Sequence, residues 1–326
     1  MTSAAGRLGP GAGIRGFRAD TIRFTRIRRD RRGRIRDESP LDPGIAEELR
    51  ALIRDRARIA LECAPRDRSA VAGIDLDRVR GFFHAKGLAV RPVVVTDRPS
   101  VRRWRAKLAE AGYSDPFGLL ADPGSRVMGS YVPAIAIAIS YWAEGLPRFT
   151  EAEAVVHELA HGTITTPQEW TAELLPGGTW DLWIRRRGYV AYDGPKAAGE
   201  FIEEGWAALM AGEYARDVLG GQGLLPARRV PRHLADIAGY VWELPYSPDD
   251  PAWSTAAYAA VALQLLADAR PGLDDALIRA RNDPAGLDDV ARTIDSVRPG
   301  LYRRLQSLPY TDDGFRAGLD AVRTAL

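Results

Sequence analysis

Two histidines one helical turn apart, with a glutamate between them, constrain this chain more than any other feature. The stretch is His157-Glu158-Leu159-Ala160-His161, within PRFTEAEAVVHELAHGT. Thr150-Glu151-Ala152-Glu153 reads as a capping box, which predicts a helix starting at Glu151. At 100° per residue, Ala152, Val155, Val156 and Leu159 form an apolar stripe, and His157 and His161 lie about 40° apart on the other side. One face suits a core and the other suits chemistry. Imidazoles at i and i+4 can reach one metal ion, and zinc accepts them at about 2.0–2.1 Å. Glu158, beside them, suits the role of general base toward water. Only four histidines occur in the 326 residues, and two of them sit in this pattern.

Catalytic zinc usually takes three protein groups, so a third ligand must come from elsewhere. GTITTPQEW, after His161, contains no histidine. GPKAAGEFIEEGWAALMAGEYARD reads as a second helix, opened by Asp193-Gly194-Pro195, and it offers Glu200, Glu203 and Glu204. Gly205, Ala207, Ala208 and Ala211 surround Glu204, and such small residues let another backbone come close. Glu203 has Trp206 and Met210 on its side and reads as packing. Glu204 is therefore the favoured ligand, with Glu203 and Glu200 as alternatives.

HELAH followed by EEGWA resembles the gluzincin branch of the zincin metallopeptidases, over about the middle third of the chain plus one later helix. The resemblance implies an α+β, zincin-like domain with a small mixed sheet, an HExxH active-site helix and a helical C-terminal lobe. It implies a Zn2+ site of His157, His161 and Glu204, with Glu158 as general base in cleaving peptide bonds. The interval from His161 to Glu204 is longer than in the best-known gluzincins. Ala208 stands where some of them carry an Asp that orients a histidine. AAYAAVALQLLADARPG resembles the gluzincin helix whose Tyr steadies an oxyanion, which implies Tyr258 in that role; His233 and Tyr240 are other candidates.

Hydrophobic content of 46% and charged content of 27% are ordinary for a soluble globular chain. The net charge of +2 is uneven, because residues 1–40 hold eleven Arg against four acids. Arg outnumbers Lys 42 to 3 over the whole chain, which reads as compositional bias and argues against a nucleic-acid partner. The one cysteine, Cys63, excludes an intramolecular disulfide framework. No apolar h-region opens the chain, and the longest uncharged run, from Val127 to Ala143, contains Pro133 and alternates. A cytoplasmic protein without a membrane partner is the expectation.

Three segments follow. Residues 1–40 form a basic, partly disordered start with a hairpin across Asp30 to Gly33. Residues 41–220 form the catalytic core, with an α/β part at 41–145 and the active-site helices at 150–220. Residues 221–326 form the helical lobe. Within the core, helices are expected from Leu41, Ile74 and Ser100, and a strand at LAVRPVVVT lies near a sheet edge because of Pro92. His84, beside Phe82 and Phe83, reads as packed or at the surface. AIAIAIS is the clearest strand, either an edge that receives extended substrate or an ordinary central strand. PQEWTAELLPGGTWDLWIRRRGYVAYDG reads as a loop whose Trp170, Trp180 and Trp183 wall a pocket or pack on the core. Besides a metallopeptidase acting on a peptide or protein substrate, the chain could be an inactive or regulatory zincin-like binding protein. Nucleic-acid docking through residues 15–36 is a further option.

Overall fold

The computed structural model describes residues 22–30, 34–63, 75–90, 93–96, 98–110, 129–132, 137–141, 148–166, 168–193, 196–214, 217–218 and 251–326. Among them the fold is α+β, with two sheets and a large helical fraction. The first sheet has the order β2-β1-β6-β7-β8-β9. Its strands are β1 (Arg23–Arg29), β2 (Ile35–Pro40), β6 (Glu169–Leu174), β7 (Trp180–Arg187), β8 (Val190–Asp193) and β9 (Lys196–Ala198). It is mixed: β1 runs parallel to β6, with Arg23 opposite Glu169, and the other pairs are antiparallel. The second sheet has the order β3-β5-β4, from Val93–Thr96, Ile137–Tyr141 and Gly129–Val132.

The expected hairpin near the start forms, and Ile22, Phe24 and Ile27 turn from it into the core at 8% exposure or less. Two of its arginines are held in ion pairs. Arg29 pairs with Glu173 at 3.2 Å and Arg34 with Asp30 at 3.1 Å. One expectation is corrected and one open alternative is decided. The Trp-rich segment read as a loop is built of β6, β7 and β8, because Gly178 at φ 80° turns β6 back on β7 and Gly188 at φ 54° turns β7 into β8. The strand before the HELAH helix is central, hydrogen-bonded to β3 on one side and β4 on the other. It therefore has no free edge for an extended peptide. Ile135 lies outside the described residues. Among the described residues β3 is outermost in its sheet, while Pro92 itself lies outside them.

The helices are α1 (Pro43–Cys63), α2 (Leu76–Ala85), α3 (Arg98–Glu110), α4 (Arg148–His161), α5 (Glu200–Tyr214), α6 (Pro251–Ala269), α7 (Leu273–Asn282), α8 (Gly286–Asp295), α9 (Leu301–Gln306) and α10 (Asp312–Ala325). The last five reproduce the expected helical run. Helix α4 starts at Arg148, so Thr150 stands within its first turn and not at its cap. Helix α5 starts at Glu200 and not at Pro195, because Lys196–Ala198 pair with β8 and Gly199, at φ 91°, makes the turn. Among the described residues, no helix is long and apolar enough to cross a membrane.

Helix α4 packs on the three-stranded sheet and on α5; α5 packs on α6, and α6 on α10. Val155, Val156 and Leu159 are fully buried at that junction, as the apolar stripe predicts. The small residues around Glu204 also do what their size suggests. A Cβ on Gly205 would meet the backbone of Ala259 at 2.9 Å, so α6 lies directly on α5. Gly205→Ala is expected to cost about 1–3 kcal/mol, because neither helix can retreat without opening the core. Chemical denaturation that gives an unchanged midpoint for this variant would contradict the close approach.

Candidate metal centre

His157 and His161 stand on the last turn and a half of α4, and Glu204 faces them from the second turn of α5. His157 Nε2 lies 3.2 Å from Glu204 Oε2 and 3.2 Å from His161 Nε2, and His161 Nε2 lies 3.6 Å from Glu204 Oε1. A tetrahedral ion with bonds of about 2.0–2.1 Å holds its ligand atoms about 3.3 Å apart. The three side chains therefore already have the spacing of a coordination shell. They form the one group of three or more His, Cys, Asp or Glu with such spacing among the described residues. Of the three acids offered by the sequence, Glu204 is the one that joins the two histidines in this group.

Glu203 has a different place from the packing role its neighbours suggest. Its carboxylate is 1% exposed and accepts from His161 Nδ1 at 2.9 Å. A histidine that binds a metal nearly always has such a partner on its other ring nitrogen. Arg281 of α7 holds the same carboxylate with two donors, Nη1 to Oε2 and Nη2 to Oε1, each 3.0 Å. Arg187 lies 4.0 Å away. The sequence carried one signal for Glu203: the next residue is the proposed ligand, about 100° round the helix, so Glu203 has to lie beside it. Arg281, far along the chain, left no such signal.

Charge follows this arrangement. Burial alone would raise Glu203, but Arg281 and His161 hold its pKa down at about 2. Burial opposes the charge on His161, yet Glu204 and the bond to Glu203 push its pKa up to about 10. Glu204 is held far below the usual carboxylate range, against its burial, by the two histidines. Glu158 is 9% exposed, and burial raises its pKa while the adjacent histidines pull the other way. It stands outside the ligand group.

The other expected residues scatter. Tyr258, on α6, accepts a hydrogen bond from Arg316 at 3.2 Å. His233 and Tyr240 lie outside the described residues. His84 is exposed on α2. Trp170 is buried and packs with Phe24, whereas Trp183 carries Arg29 over its ring at 5.4 Å. Trp183, Arg29, Glu173, Asp181, Ile184 and Tyr192 line a cleft of about 560 Å³ on the larger sheet. Tyr192 pairs with Ala197, which places that wall next to the start of α5. Sequence reasoning also passed over Tyr310. It is 46% exposed at the start of α10, and the negative charge of Glu204 foremost, with Glu200 and Glu158, holds its phenol well above the ordinary range. Comparison of the chain with protein-family models, curated proteins and solved structures returns no match.

A metal ion needs a neutral imidazole, so it must displace the proton that Glu203 and Glu204 hold on His161. Zinc affinity is therefore expected to rise with pH up to about 10, with close to one proton released per ion near neutrality. The metal-free fold has the opposite sign. A raised histidine pKa stabilises fully below 6.5 and is lost as pH climbs through about 10. Zinc titrations in buffers of different ionisation enthalpy measure the release. A pH-independent affinity would be incompatible with this linkage.

Proposed function

We propose that the chain is a zinc-dependent hydrolase of peptide bonds, with His157, His161 and Glu204 holding the ion and Glu158 acting as general base. The observation that carries this reading is the spacing of the three ligand atoms, 3.2 to 3.6 Å, with a buried acid beside them that takes no part in the ligand group. An ion bound there would polarise a carbonyl and acidify water toward a pKa of about 7. Glu158 accepts a proton from the attacking water and returns it to the leaving amine. Burial, by raising the basicity of its carboxylate, suits it to that exchange. The cleft walled by Trp183, Ile184 and Tyr192 offers apolar surface for the flanking residues of a substrate.

A phenol able to donate to a developing oxyanion must stay protonated and reach the cluster. Tyr258 has the family resemblance but shares its hydroxyl with Arg316. Tyr310 has the charges of Glu204, Glu200 and Glu158 around it, and its ring rests edge-on against Phe315, 5.4 Å between centroids. Phe315 in turn packs on Phe201, 5.0 Å away and three residues before Glu204. We therefore assign the donor role to Tyr310.

Glu158→Gln is expected to fold and to bind zinc as wild type does, while hydrolysis of a mixed peptide library falls by about 10²–10⁴. Wild-type cleavage by this variant would remove Glu158 from the mechanism. A wild-type protein that is fully zinc-loaded and inert on the library would point instead to a binding or regulatory module.

Tyr310→Phe is expected to lower kcat by about 10²–10³ with zinc content unchanged, while Tyr258→Phe changes it only a few-fold. The reverse order in steady-state kinetics returns the role to Tyr258.

A further inference from the structure

Arg281 is the largest fully buried charged side chain among the described residues, at 0% exposure. A cation so placed is costly unless every donor is satisfied. Nε donates to Thr163 Oγ1 at 2.7 Å, Nη2 donates to the carbonyl of Ala160 at 2.6 Å, and two further bonds of 3.0 Å reach Glu203. The guanidinium carbon lies over the ring of Trp206, 3.9 Å from its centroid. Its own carbonyl accepts from the backbone N–H of Thr165 at 2.8 Å. These contacts converge on the end of α4, one residue from His161, and on the acid next to Glu204.

The shared atom is Glu203 Oε1, which accepts from Arg281 Nη2 and from His161 Nδ1. An acceptor at Nδ1 selects the tautomer with its proton there and leaves the Nε2 lone pair for a metal. Two parallel N–H donors define the plane of a carboxylate, whereas a lysine would leave it free to rotate. We infer that Arg281 is a positioning residue of the metal centre: by fixing Glu203 against His161 Nδ1, helix α7 sets how tightly His157, His161 and Glu204 hold a divalent ion. This inference rests on the metal reading given above. Position 281 belongs to the helical C-terminal region, so the centre is incomplete without an element more than a hundred residues beyond His157.

The test is zinc affinity, measured by chelator competition on the full-length protein, beside the thermal midpoint of the metal-free form. Arg281→Lys is expected to weaken zinc by about 10–100-fold, the range for loss of such outer partners. Val290→Ala, buried in the same region on α8, serves as control. It should lower the midpoint and leave affinity within about two-fold. A variant that strands Glu203 could fail to fold, so a second one removes the ion pair as a unit. Glu203→Gln with Arg281→Met takes out both charges, which proteins often tolerate without loss of stability. That double variant should fold and still bind zinc at least 10-fold more weakly, because His161 has lost its anionic partner. Wild-type affinity in a folded Arg281→Lys or in the double variant overturns the inference, as does an equal loss in Val290→Ala. If wild type binds no zinc in the same titration, the metal reading itself falls, and the inference with it.

Discussion

The buried carboxylate of Glu203 is the interaction on which the arrangement of this protein depends. A charge at 1% exposure cannot stay ionised without partners, and its partners come from three places in the chain. His161 is on α4, Arg187 ends β7, and Arg281 is on α7. Each would be an uncompensated buried charge alone; taking one member from such a pair costs about 3–5 kcal/mol. The polar cluster therefore specifies how α4, α5, α7 and the larger sheet meet, where apolar packing would tolerate several alternatives.

Around this polar knot the core is apolar and finely fitted. Gly205 lets α6 rest on α5, and Gly318 of α10 faces Phe201 so closely that a Cβ would come within 2.3 Å of its ring. Phe201 and Phe315 stack edge-on, and Trp206 backs the guanidinium of Arg281. The rigid side of the centre is the one carrying Glu203. The side carrying His157, Glu204 and Tyr310 is partly open to solvent. Such a division suits a site that must admit a ligand while holding its own geometry.

Two consecutive glutamates thus take opposite parts. At 100° per residue Glu204 turns toward the open face and Glu203 toward the buried one. A single helix turn places one carboxylate in the group with His157 and His161 and the other against His161 Nδ1 behind it. Glu158 makes a third use of the same side chain. It is buried at 9% exposure outside the reach of the Arg281 clamp, and it keeps a higher proton affinity than the other two.

The local pattern was enough to place His157 and His161 on one face, to bury Val155, Val156 and Leu159, and to single out Glu204, which the fold brings beside the two histidines. These features depend on helical periodicity, which a short window of residues determines. The hairpin near the start and the C-terminal helices were legible for the same reason. The aromatic run from Trp170 to Tyr192 was not, because its strands alternate irregularly around a bulge and gain their order from pairing with β1, far upstream. Whether the strand before α4 is an edge was equally beyond the sequence, since that depends on β3 and β4 coming to either side. The same holds for Glu203, Arg281 and Tyr310. Residue type and spacing report what a side chain can do. Which charge it will meet in a buried site is decided by contacts between distant segments, and only folding brings those together.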